Sequence, residues 1–164
     1  MKNILGILKK SKKADMPPIP SEKIITEKEL YISSAQYFRK EQESLLKENP
    51  YYSLKKAELI KLGYINKRIY KYKRGNFLGI LVPDPTNKHD RNAIKICVGE
   101  TQVGFINRED QKEVCNLMRK NKIDSIQIDI QGGPCKIIAE VEPQKFLIER
   151  ENIGIYMHLK LLVK

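Results

Sequence analysis

Seven consecutive polar residues, Thr86 to Asn92, lie between two apolar alternations, and they restrict the fold of this chain more than any other stretch. Residues 78 to 106 read LGILVPDPTNKHDRNAIKICVGETQVGFI. Leu78, Ile80 and Val82 alternate as in a half-buried strand. Pro83-Asp84-Pro85 ends it, because proline has no N–H for a ladder. Asn87, Asp90 and Asn92 are residues that bend the chain by bonding their own backbone. Ile94, Ile96 and Val98 mark a second strand. Gly99-Glu100-Thr101 turns it into a hairpin with Gln102 to Ile106. Two core strands thus hold a polar loop longer than a turn requires, and such loops are where sites tend to sit.

LVPDPTNKHDRNAIKI followed by VGFINRED resembles the HIRAN domain pattern. Asn87, Asp90, Asn92, Ala93, Ile94, Val103 and Gly104 carry the resemblance without gaps, over about residues 68 to 162. The resemblance implies an α+β, mainly β fold: a small OB-like β-barrel of HIRAN type with one or two helices. It also implies a function. The helicase-linked eukaryotic members capture the free 3′ end of single-stranded DNA, while many bacterial versions stand alone or beside other modules. In the family the equivalents of Asn87 and Asp90 hold the terminal 3′-hydroxyl. The position of His89 is usually aromatic and stacks beside the terminal nucleotide; histidine keeps a flat face on a smaller ring. Phe105 follows Gly104 in the hairpin, and Arg108 stands where a basic residue often faces phosphate. Lys71 and Tyr72 match the basic and aromatic positions that grip DNA, by a looser alignment.

Charge supports a polyanionic partner. The net charge is +11. Residues 1 to 20 carry five basic and one acidic residue, and residues 61 to 74 carry six basic and none acidic. Focused positive charge raises the local concentration of a polyanion. Lys67 to Arg74 reads KRIYKYKR. As a strand it puts Arg68, Tyr70, Tyr72 and Arg74 on one face and Ile69, Lys71 and Lys73 on the other. Rings interleaved with cations suit single-stranded nucleic acid. An edge strand guarded by lysines has the same composition.

The remaining chain divides into a basic tail with a Pro-rich linker (residues 1–20), a helical extension (21–64) and the barrel domain (65–164). Thr26 and Glu29 form a capping box that predicts a helix to about Glu48. Asn49-Pro50 stops it, and Ser53 caps a second, shorter helix through Leu62, with Gly63 at the left-handed C′ position. Asn107 to Asn121 reads as a further helix. Ile126 to Ile130 and Ile137 to Val141 read as strands joined by a turn at Gln131-Gly132-Gly133-Pro134. A last strand, Ile153 to Val163, closes the barrel, with Tyr156 and His158 as plain surface.

Cys97, Cys115 and Cys135 are scattered, which speaks against a disulfide framework or zinc site and for a reducing cytoplasm. No apolar run approaches the ~18 residues of a membrane span. No phosphate loop or nucleophile set is present, so neither catalysis, metal nor cofactor is expected. The reading is a cytoplasmic, bacterial-type module for single-stranded DNA or DNA ends, in repair, replication or recombination. A helicase, nuclease or other repair protein is a possible partner. The alternative is an adaptor that binds protein through its N-terminal helices.

Overall fold

Alternating burial of isoleucines sets the architecture. Ile126, Ile128 and Ile130 are buried, with Gln127 exposed between them, the period-two signature of a strand with one wet face. The computed structural model describes residues 25–164; the expectations for the tail and linker at 1–20 lie outside the described residues.

The elements follow in order as β1 (Thr26–Leu30), β2 (Ile32–Ser33), a 3-10 helix (Ala35–Phe38), α1 (Arg39–Leu45), α2 (Pro50–Ser53) and α3 (Lys56–Lys61). Then come β3 (Arg68–Tyr70), β4 (Gly75–Leu78), β5 (Ile80–Pro83), β6 (Ile94–Val98) and β7 (Thr101–Ile106). The chain ends with α4 (Arg108–Arg119), β8 (Ile123–Glu142) and β9 (Lys145–Val163). The fold is mainly β with few helices, as the sequence implies.

The strands form two sheets rather than the expected closed barrel. One runs β1-β9-β8-β3 with β4 also on β8; the other runs β2-β7-β6-β5. Two single-residue links pass directly from sheet to sheet: β1 into β2 across Tyr31, and β4 into β5 across Gly79, whose N–H donates to Ile126 O at 2.8 Å. The main core lies between the sheets and includes Leu81, Ile94, Ile96, Val103, Ile106, Val114, Ile128 and Leu161. A second, small core joins Leu59 of α3, Ile69 of β3 and Ile138 of β8. The short helices therefore cover the far half of the β8–β9 ribbon. Lys136, also buried, donates to Leu54 O at 2.7 Å there.

Four expectations need correction. Thr26 to Leu30 is a strand, not a helix start. It pairs with β9 from Thr26↔Val163 to Leu30↔Leu159, and that ladder with the burial of Leu30 outweighs a two-residue capping signal. Ser53 ends α2, and α3 begins at Lys56; Asn49, instead of only stopping α1, caps α2 by accepting the Tyr51 N–H. Gly132 and Gly133 do not turn the chain back. Both adopt positive φ, at 104° and 90°, and the register shifts between them, so β8 bends through a bulge and continues. Its partner is β9, joined at residues 143 and 144. Finally, Leu78, Ile80 and Val82 are exposed, and Leu81 points to the core instead. The expected closing strand, Ile153 to Val163, is the later part of β9 and pairs with β8 and β1.

Candidate nucleic-acid interface

The polar loop is built on two aspartates. At its neck the Asp84 N–H donates to Ala93 O at 2.8 Å, and the Asn87 N–H donates to Asp84 O at 3.1 Å. The nearly buried Asp84 carboxylate accepts from Thr86 Oγ1 at 2.9 Å and faces Lys95 Nζ at 3.2 Å. Asn87 Oδ1 accepts the N–H groups of His89 and Asp90, at 3.0 and 3.2 Å. Asp90 Oδ1 accepts the Asn92 N–H at 2.9 Å, and Oδ2 accepts from Gln111 Nε2 at 3.0 Å. Arg108 Nε stands 3.6 Å from the same oxygen. The Asn92 N–H first, then Gln111 and Arg108, hold the Asp90 carboxyl below its ordinary value. The Thr86 hydroxyl above all, with Lys95, does the same for Asp84.

Asn87 and Asp90 therefore cap the turn. A carboxylate has about four acceptor directions, of which three are used, and the Asp90 side chain keeps 20% of its surface exposed. Asn87, Lys88, His89, Asp90 and Arg91 line an open cleft of about 780 Å³. Arg108, at the start of α4, is 78% exposed. Its guanidinium carries five N–H donors and one carboxylate neighbour among the described contacts, which leaves capacity for phosphate. Phe105 lies on β7 and meets Phe38 edge to face, with ring centroids 5.8 Å apart. The residue before Phe38, Tyr37, is 78% exposed.

The second predicted group sits elsewhere, on the five-stranded sheet. Tyr70, Tyr72 and Arg74 line one cleft of about 320 Å³ with Tyr156 and Ile153. The strand is shorter than predicted and ends at Tyr70; Ile69 is buried, and Lys71 lies 4.0 Å from Glu48. Lys71 Nζ also lies 4.9 Å over the Tyr72 ring, and the Tyr72 hydroxyl donates to Glu43 Oε2 at 3.4 Å. A Cβ on Gly133 would come within 3.2 Å of the Tyr72 ring, so the glycine bulge lets that ring lie on β8. Arg74 binds Asp129 through both Nε, at 2.7 Å, and Nη2. Arg68 Nε pairs with Glu151 at 3.1 Å. The acid-free block at 61–74 is thus partly matched by Glu48, Asp129 and Glu151 from distant positions. The loop group and the tyrosine group line different clefts.

The sequence places Tyr156 on the surface, and it is exposed; the sequence gives no role to Gln111, which holds Asp90. Tyr156, His158 and Lys160 alternate as Arg68 to Arg74 do, a signal that was present. Gln111 is one amide in a helix and gives none. Among the described residues no group of three or more His, Cys, Asp or Glu could hold a metal, and no helix is long and apolar enough to cross a membrane.

A family model of the HIRAN domain matches residues 31–131. It takes in β2, the 3-10 helix and α1 as well as the loop, and stops at the glycine bulge of β8. A solved structure, the crystal structure of the HIRAN domain of human HLTF, is similar at 16% identity over 85% of this chain and 76% of that one, with a TM-score of 0.34. No curated protein matches the chain.

Proposed function

The chain belongs to the HIRAN domain family, whose members are single-stranded DNA-binding modules, and we propose that it binds single-stranded DNA and takes a free 3′ end at the 84–93 loop. One observation carries this reading: the Asp90 carboxyl is fixed by three internal partners and still part-exposed at an open cleft. A carboxylate repels phosphate, so in a DNA-binding loop it calls for a compensating donor. A terminal 3′-hydroxyl is such a donor, and a charge-assisted bond to it is stronger than a neutral one. Arg108 is beside it for the last phosphate, and His89 offers a flat face. A 3′-phosphate would meet Asp90 directly. The module acts by binding, without chemistry, in transactions that expose DNA ends.

Binding of a 5′-labelled single strand, followed by fluorescence anisotropy, tests this with Asp90→Asn. The amide keeps an acceptor for the Asn92 N–H and loses the charge. The variant should bind 3′-hydroxyl strands less tightly and 3′-phosphate strands no worse. Equal weakening on both ends would make Asp90 a turn cap only. Divalent-dependent shortening of the strand would contradict a role without catalysis.

A further inference from the structure

The tyrosine cleft does not end at Arg74. Arg74 and Gln131 also line a second cleft, of about 570 Å³, on the same sheet. Its walls include Phe77 of β4 and His158 and Lys160 of β9. Tyr156, His158 and Lys160 are alternate residues of one strand and share one side of the sheet. Their partners on β8 are Gln131, Asp129 and Gln127, and Asp129 pairs in turn with Asn76 of β4. Tyr156 and His158 are exposed on this wet face, which no other element among the described residues covers at those positions. The two clefts adjoin at Arg74 and Gln131 and form one groove, with Tyr156 at one end and His158 and Lys160 at the other.

We propose that this groove is a second track for single-stranded DNA, which takes nucleotides on the 5′ side of those at the loop. The inference rests on the DNA-binding reading above and assigns residues that reading does not use. Tyr156 and His158 are the stacking surfaces, and Arg74 and Lys160 the phosphate contacts. Rings serve every base, because each base has a π-face, so the track tolerates sequence. Both cations already have carboxylates: Asp129 for Arg74, and Glu27, 3.3 Å from Lys160; Glu29 also lines the groove. The Lys160–Glu27 pair is exposed on both sides and weak; the Arg74–Asp129 pair is bidentate on a carboxylate only 15% exposed and stays in place. An ammonium has three donors and a guanidinium five, so each cation can take a phosphate without giving up its partner.

The test uses the full chain and 3′-hydroxyl strands of about 4 and about 16 nucleotides, the range covered by single binding folds of this size. Tyr156→Ala with His158→Ala should weaken binding of the long strand about tenfold or more, with the short strand bound as by wild type and melting unchanged. Lys160→Ala should lower the salt slope on the long strand by about 0.7. Unaltered binding of the long strand, or equal loss on both strands, overturns the track. A wild-type protein that binds neither strand overturns the DNA reading and the track together, whereas loss of only the end preference leaves the track standing.

Discussion

Asp84 and Asp90 between them hold the shape of the loop, one at the neck and one at the rim. Both carboxyls titrate below the ordinary value of 3.8. A depressed folded value means that their contribution to stability is complete above that pH and is lost as pH falls through the lowered values. The amides of Asn92 and Asp90 should therefore shift together in an NMR titration below about pH 4, before global unfolding; amides that stay fixed until the whole chain melts would contradict this. The two tyrosines differ. Tyr72 packs against the main core and Tyr70 does not. Tyr70→Ala should cost about 1–3 kcal/mol of single-strand affinity and leave melting unchanged, while Tyr72→Ala should lower both. Calorimetry with binding isotherms separates these outcomes, and a stability loss at Tyr70 alone would make the strand structural. Asn87 and Asp90 were legible in the sequence because their side chains bond nearby backbone. Gln111, which fixes the other carboxylate oxygen, was not, because its role depends on α4 folding back onto the loop.

The helices α2 and α3 matter through Leu59, which is fully buried against Ile69 and Ile138. Leu59→Ala should destabilise by about 2–5 kcal/mol. The loss should appear in hydrogen exchange on the far half of β8 and β9, with protection of β6 and β7 kept. Uniform loss of protection would mean that the two cores unfold as one. Ile126–Ile130 was legible because one face is buried and the other wet; in Ile94–Val98 the alternation holds only to Ile96, where a bulge leaves Cys97 buried as well. The first strand was not legible. Thr26 and Glu29 favour a local helix, and only the distant β9 ladder reverses that preference, as tertiary pairing often overrides local propensity. The Gly132–Gly133 bulge was misread for a related reason: positive φ serves a turn and a bulge equally, and only the length of β9 decides between them.

At the scale of the whole molecule the charge pattern is milder than the sequence implies. Arg68, Lys71 and Arg74 come from an acid-free block, yet each has a carboxylate neighbour in the fold. The electrostatic term in DNA binding should therefore come from a few phosphate contacts, each adding roughly −0.7 to the slope of log affinity against log salt. That slope measures how many cations face the strand; a flat response would remove phosphate contact from the picture. The loop lies on one sheet and the tyrosine groove on the other, so the proposed end capture and the proposed strand holding can be tested separately. The measurement that bears on end capture most directly is the affinity of the wild-type chain for one labelled strand ending in a 3′-hydroxyl, against the same strand ending in a 3′-phosphate, at fixed salt. Tighter binding of the hydroxyl end is the predicted result. Equal affinity for both ends would contradict end recognition at Asp90 and leave a protein that holds single strands along their length.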